Sequence, residues 1–420
     1  MQNRSYLALV LIPLLGVAAT GQQPPPTFRS GVQLVEVDAR VFDKDGKFVA
    51  DLTKDDFEVL EDGTPQRIDA MYLVSGPPRA AGPEKAVPPE PPAPVQPSPV
   101  AAQTWIFFFD LEHLVPGSGF DRARKAVEDF IGQRFKEGDL AGILAGDRMV
   151  GNRLTSVRVE LLENLKSVNP RADRRNMFNE LTREWPRFVD EEEAIRTARN
   201  DRDVLQRVIR RACADDPDLC RTGDPEAFVR GKAIRFQQEI HRASGQTLRS
   251  LNGLASGLSK IPGPKPVVFL SDGFVVQDIE TTLRSVVGQT ARAGARVYAI
   301  DVRGLNRFGR PGMTDQMLAD DPYGAVTTFD NLADGPNSLA IDTGGLMIRN
   351  ENNIGRALDR VADDAGRYYV LAYQPTNTTF DGKYRPIQVR VTRDGLRVRA
   401  RKGYLALDPA RMTVPQPIKR

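Results

Sequence analysis

The sequence predicts an α/β protein: a doubly wound, mostly parallel sheet with a helical insertion, plus a small β-domain built from the N- and C-terminal flanks. Three observations predict it. From Thr104 onward, strand-like segments alternate with helix-like ones, the pattern of a parallel sheet covered on both faces. The run Ile106–Phe109 (IFFF) is apolar without alternation, as a central strand buried on both sides requires. At the flanks, Val35, Val37, Ala39 and Val41, and later Val389, Val391, Val398 and Ala400, alternate with polar residues at the period of a half-buried strand.

Size and composition narrow the function classes. A chain of 420 residues has room for two or three domains. Hydrophobic residues at 40% and charged residues at 27% are ordinary for a soluble globular protein. With 58 Lys and Arg against 55 Asp and Glu, there is no electrostatic case for nucleic acid, which requires a basic field over a whole face. Two histidines and two cysteines leave few soft ligands, which argues against structural zinc.

Residues 1–21 read as an export signal. Arg4 supplies the positive start, Tyr6–Ala19 the apolar core, and Ala19-Thr20-Gly21 the small residues before a cleavage at Gln22. The apolar run is short for a bilayer and Pro13 interrupts it, so a cleaved signal is expected rather than a stable membrane anchor. No cysteine follows it to carry a lipid. The mature chain is therefore expected to be periplasmic or secreted.

Residues 28–75 form the N-terminal β segment. Its strand ends at the turn Asp43–Gly46; a small capped turn over Leu52–Phe57 leads into a second strand, Phe57–Leu60, closed by Glu61-Asp62-Gly63. Residues 76–102 are a linker. Ten prolines between Gly76 and Pro99 prevent a packed core and predict an extended, semi-rigid spacer.

The main domain is placed at 103–375. Its strand candidates are Thr104–Leu111, Leu140–Ala145, Val267–Leu270, Arg296–Val302 and Arg367–Tyr373. Its helix candidates are Phe120–Phe135, Val157–Lys166, Thr247–Lys260, Thr281–Ala293 and Asn353–Ala365. Residues 171–242 break this rhythm and read as a helical insertion around Cys213 and Cys220. In an exported protein these two cysteines are expected to form a disulfide, stapling one helix end to the next helix start; two separate thiols are the alternative. The acidic run Asp190–Glu193 reads as a solvated helix start.

Residues 376–407 return to β structure. Asp394-Gly395 suits a two-residue hairpin turn, which would pair Val391 with Val398 and Val389 with Ala400. That register sets Arg390 against Arg399, so acidic groups are expected nearby, with Glu36 and Asp38 as candidates. The N-terminal strands and this hairpin are thus expected to form one β-domain.

Two segments carry the chemistry. Trp105–Asp110 (WIFFFD) continues into Leu111-Glu112-His113-Leu114, and Val267–Leu270 (VVFL) into Ser271-Asp272-Gly273. Each strand hands over to a carboxylate, and open parallel sheets bind ligands beyond the carboxyl ends of their strands, where the strand order reverses. Two aspartates about 160 residues apart then meet at one rim. Each can equally be a loop or turn cap. Asp301 can face the same rim, His113 reads as a surface or packing residue, and Asp121 as a residue at a helix start. No phosphate-cradling Gly-rich loop, Gly-x-Ser-x-Gly elbow or His-Glu-x-x-His motif is present.

The segments WIFFFD, PVVFLSDGF and ARVYAIDV, with the helix that contains Thr247, resemble the strands and loops of a von Willebrand factor type A (VWFA) domain. The flanks VFDKDGKFVADLTKDDFEVLEDGTPQRI and YYVLAYQPTNTTFDGKYRPIQVRVTRDGLRVRARKGYLA, with IDTGGLMIRN, are similar to the ends of exported bacterial VWFA-related proteins. The resemblance runs from Val32 to Leu407 apart from the insertion. It implies a Rossmann-like sheet and a metal-ion-dependent adhesion site for Mg²⁺ or Ca²⁺, built on Asp-x-Ser-x-Ser, a threonine and a later aspartate. Asp110, Thr247 and Asp272 match those positions, whereas Glu112 and Leu114 stand where the serines belong. The implied site, Asp110, Glu112, Thr247 and Asp272, is degenerate: Leu114 cannot ligate, and Glu112 adds charge that weakens the cation's pull on an external carboxylate. The expected function is a non-enzymatic module binding a protein partner. A metal-free scaffold is the alternative, and a metal-dependent hydrolase a weaker one.

Overall fold

Alternating valines and alanine make the first strand, β1 (Val35–Phe42), with Val35, Val37, Ala39 and Val41 buried. β2 (Phe57–Glu61), β3 (Thr64–Gln66) and β4 (Ile68–Ser75) follow. The architecture is that of a computed structural model, which describes residues 34–75, 103–274, 279–304 and 334–406. The expected export signal (1–21) and the proline-rich linker (76–102) lie outside the described residues.

The main sheet contains β5 (Thr104–Phe109), β6 (Leu140–Ala145), β7 (Arg148–Met149), β8 (Lys265–Ser271), β9 (Ala295–Asp301) and β10 (Met347–Ile348). Its order is β10-β9-β8-β5-β6-β7, parallel throughout except for the antiparallel edge strand β7. Chain order reverses between β5 and β8, the switch point where such sheets bind ligands. Ile106–Phe109 are fully buried, as an apolar run in a central strand must be.

Ten α-helices are described. In chain order they are α1 (Ser118–Gln133), α2 (Arg158–Lys166), α3 (Ala172–Arg183), α4 (Glu191–Ala198), α5 (Arg202–Asp215), α6 (Pro217–Thr222), α7 (Pro225–Leu258), α8 (Glu280–Arg292), α9 (Asp334–Asp342) and α10 (Ile354–Ala365). α1, α2 and α10 cover one face of the sheet with Phe107, Phe109, Phe130 and Leu358 in their core. The second half of α7 with α8 and α9 covers the other face around Phe108, Phe269 and Leu251.

The insertion is α3 to α6 and the first half of α7, with its own core of Leu181, Phe188, Val208 and Phe236. α7 runs unbroken for 34 residues from this core into the main domain. Thr247 therefore sits inside that helix, not at a helix start as the sequence predicted. Cys213 in α5 and Cys220 in α6 are disulfide-bonded, their Cα atoms 5.4 Å apart. The run Asp190–Glu193 is not solvated: all four residues are buried. Asp190 caps α4, Glu191 pairs with Arg174, and Glu193 receives two hydrogen bonds of 2.9 Å from Arg211. Charge in the sequence suggested solvent, but arginines folded against the run replace water.

The remaining strands are β11 (Arg367–Tyr373), β12 (Tyr384–Val391), β13 (Arg397–Ala400) and β14 (Gly403–Leu405). They combine with β1–β4 into two antiparallel sheets, β13-β1-β11-β4 and β14-β12-β2-β3, around a core of Val37, Val59, Tyr369, Leu371 and Ile387. Both flanks of the chain thus share one β-sandwich.

Two sequence expectations fail here. Arg367–Tyr373 does not join the parallel sheet; it pairs antiparallel with β1 and β4. Tyr369, Leu371 and Tyr373 enter the sandwich core, while Tyr368 on the other face lies under the Arg296 guanidinium of β9, 4.2 Å from its ring centre. Burial on both faces imitates a parallel-sheet strand. Asp394-Gly395 does not close a two-residue hairpin either, because β12 pairs with β2 and β13 with β1, in different sheets. Arg390 then opposes Glu58, and Arg399 opposes Arg40. The acid between the two arginines is Asp364, not Glu36 or Asp38; Asp38 instead pairs with Arg296 at 3.2 Å.

Among the described residues, no helix is long and apolar enough to cross a membrane.

Candidate functional site at the sheet switch point

Asp110 leaves β5 next to β8, its N–H donating to the Leu270 carbonyl at 3.0 Å. The chain then turns tightly: the His113 and Leu114 N–H groups both donate to the Asp110 carbonyl, at 3.0 and 2.8 Å. Leu114, at the position a ligating serine would take, is fully buried in the apolar core and anchors this turn.

The Asp110 carboxylate is buried and fully engaged. Its Oδ1 accepts from Thr247 Oγ1 at 2.7 Å, and its Oδ2 accepts from Ser271 Oγ at 2.8 Å. His113 Nδ1 lies 2.9 Å from Oδ2; a carboxylate only accepts, so this nitrogen carries a proton. Burial alone would raise the Asp110 pKa, but the His113 ring and the Thr247 and Ser271 hydroxyls outweigh it and hold the carboxyl below its ordinary value. The far ring nitrogen of His113 is 3.4 Å from Ser244 Oγ, and Phe274 packs beside the ring with centroids 5.4 Å apart. One cluster thus joins the end of β5, the middle of α7 and the end of β8.

The other expected site residues stand around this cluster with partners of their own. Glu112 turns outward to Arg171 at the start of the insertion. Asp272 lies at the same end of the sheet as Asp110 and accepts the Val115 N–H at 2.7 Å. Burial, reinforced by neighbouring Asp301 and opposed by the Val115 N–H, pushes the Asp272 carboxyl up to about 6. Asp301 is clamped by the Arg303 guanidinium, with contacts of 2.8 and 2.6 Å.

This donor set does not fit a hard divalent cation. Such an ion needs several oxygens converging with room for water. Here the two oxygens of Asp110 already accept three hydrogen bonds, one of them from the His113 ring. Glu112 points to a guanidinium instead of toward Asp110. Among the described residues, no group of three or more His, Cys, Asp or Glu side chains is arranged to hold a metal. Of the four expected metal residues, the fold brings Asp110 and Thr247 into direct contact and sends Glu112 and Asp272 to other partners.

The sequence pointed to the Thr247 hydroxyl but gave Ser271 no role, and His113, expected as a surface or packing residue, is buried against Asp110. The available signal was the hydroxyl immediately before Asp272 in Ser271-Asp272-Gly273.

The insertion closes over this rim. Arg174 Nε donates to the His113 carbonyl at 3.4 Å, and Arg175 donates to the Pro116 carbonyl. Between α3, α7 and the β5 loop lies a cleft of about 530 Å³ whose walls include Glu112, Arg171, Arg174, Glu239 and Arg242.

No known family profile matches the sequence, and no curated protein matches it. Solved structures give distant likenesses. An aerotolerance-related membrane protein of Bacteroides fragilis is 13% identical, with 63% of this chain and 99% of that chain covered and a TM-score of 0.31. A conserved hypothetical protein, BatB, of Bacteroides thetaiotaomicron is 12% identical, covers 63% and 98% of the two chains, and has a TM-score of 0.27. A membrane-spanning protein of Vibrio fischeri is 15% identical with the same coverage and a TM-score of 0.16. At these scores the likenesses carry no argument about fold or function.

Proposed function

We propose that this chain is an exported, non-enzymatic protein-binding module built on a VWFA-like sheet, and that its contact surface is the charged cleft beyond the carboxyl end of β5. The observation that carries this reading is the position of that cleft. It opens beside the switch point, where the β5 loop supplies Leu111 and Glu112 and the insertion supplies the α3 and α7 walls, each with acidic and basic side chains. Recognition then rests on these side chains and not on a bound cation. A metal-dependent hydrolase finds little support, since the Asp110 carboxylate is held by three donors and Glu112 by an arginine.

The test is site-directed photocrosslinking in the native host. A benzophenone amino acid replaces Gln238 on the cleft wall or, as control, Glu128 on α1. A discrete adduct from Gln238 alone, weakened by Arg242→Glu, supports the cleft. No adduct from Gln238, or the same adducts from both positions, overturns the proposal.

A further inference from the structure

A second pocket, of about 380 Å³, lies in the insertion between the end of α3 and the first half of α7. Phe228, Gly231, Lys232 and Arg235 fall at helical spacing along α7 and form one wall. Trp185 and Phe228 meet edge-to-face, centroids 5.6 Å apart, and Phe228 is 49% exposed. Gly231 leaves the middle of this wall open: a Cβ placed there would meet nothing within 4 Å.

Lys232, 8% exposed as a residue, reaches from α7 to this pocket with its amine partly buried. Nζ donates to the carbonyls of Glu180 and Glu184 at 2.6 and 2.7 Å, occupying orphan acceptors at the end of α3. A neutral amine has two N–H bonds and one lone pair. Both N–H bonds can stay on the two carbonyls after deprotonation, which leaves the lone pair directed away from them. The fold thereby holds the nitrogen as an oriented nucleophile beside an aromatic wall.

We propose that Lys232 is a covalent modification site for aldehydes with a flat, apolar body. The amine lone pair attacks the carbonyl carbon, and the C=O electron pair moves to oxygen. Proton transfer from nitrogen to oxygen gives a carbinolamine. Loss of water then leaves an imine, so aldehyde and amine yield imine and water with no redox change. Trp185 and Phe228 supply the apolar surface for the aldehyde's body.

The charge state of Lys232 agrees with this chemistry. Burial pushes its pKa down to about 8, opposed by the Glu180 and Glu184 carboxylates and assisted by Arg235. The Phe236 ring, 5.7 Å from Nζ, faces the amine from the same helix.

Benzaldehyde with cyanoborohydride, which reduces the imine to a stable benzylamine, tests the assignment. Adducts are mapped by mass spectrometry after chymotryptic digestion. At pH 7.5 the neutral fraction alone favours Lys232 over ordinary exposed lysines by roughly a hundredfold, and even with its lower basicity and enclosed site Lys232 is expected to react at least roughly tenfold faster than Lys125 and Lys166. Its rate should reach half its plateau near pH 8. Gly231→Leu, which adds a strong helix former into open space, should slow Lys232 roughly tenfold and leave Lys125 unchanged. Lys232→Arg keeps the carbonyl contacts and should abolish the site's adduct without unfolding the insertion. The proposal is overturned if Lys232 reacts no faster than Lys125, or if Gly231→Leu leaves its rate unchanged.

Discussion

Replacing Asp110 by asparagine separates a buried structural cluster from a cation site. Three donors converge on the carboxylate: Thr247 Oγ1, Ser271 Oγ and His113 Nδ1. An asparagine keeps one acceptor oxygen and points its NH₂ at a group that is itself a donor. Hydrogen bonds to a charged group contribute about 1.5–3 kcal/mol each, and removing one partner of a buried pair costs about 3–5 kcal/mol. With one bond retained, Asp110→Asn should destabilise the main domain by about 3–5 kcal/mol at pH 7. The assay is urea denaturation in excess EDTA on a Trp185→Phe background, where Trp105 of β5 is the remaining tryptophan. The pH dependence has a definite sign. The folded-state pKa of Asp110 is depressed, so its stabilisation is complete above the ordinary carboxylate value and is lost as pH falls through the lower folded value. The gap between variant and wild type should therefore narrow below about pH 4. A loss under about 1 kcal/mol in EDTA, together with Mg²⁺-dependent stabilisation of the wild type alone, would refute the reasoning.

The other predictions concern separate parts of the molecule. Asp272 has a raised folded pKa, so its penalty on stability is absent below pH 3.8, grows as pH rises to about 6 and is constant above. Asp272→Asn should accordingly stabilise the protein at pH 7 by up to about 3 kcal/mol and do nothing at pH 3, as measured by urea titration at both values. Glu61, buried in the sandwich, accepts from Tyr373 at 2.7 Å and Tyr404 at 3.1 Å and faces Arg385 at 3.3 Å. Glu61→Ala leaves that arginine buried without its carboxylate and should cost about 3–5 kcal/mol in chemical denaturation. The Cys213–Cys220 bridge closes a short loop across 7 positions of sequence. Cys213→Ser with Cys220→Ser should cost at most about 2–3 kcal/mol and be confined to the insertion, so amide exchange in β5 and β8 should stay slow.

Much of the fold was legible because burial leaves a local signature. The unbroken apolar run of β5, the helix-strand alternation and the period-two valines of β1 each report how many faces of a segment meet protein. The sheet switch point was legible too, since Asp110 and Asp272 each follow an apolar strand. The degeneracy of the adhesion-type motif was also plain, because Leu114 and Glu112 replace hydroxyls in one short stretch.

The sequence by itself determined where β1, β2, β5, β6, β8 and β9 and helices α1, α2, α8 and α10 lie, which of their faces are apolar, and that two aspartates end buried strands. Tertiary structure alone decided that Arg367–Tyr373 belongs to the sandwich, that β12 and β13 part into different sheets at Asp394-Gly395, and that Asp190–Glu193 is buried. It alone turned His113 toward Asp110 and Glu112 toward Arg171. The physical reason is common to all of these: a local pattern encodes the degree of burial but not the partner that supplies it. Apart from the local Asp110–His113 pair, three residues apart, the hydrogen-bond and ion-pair partners here come from segments tens to hundreds of residues away, and only the folded chain brings them within 3 Å.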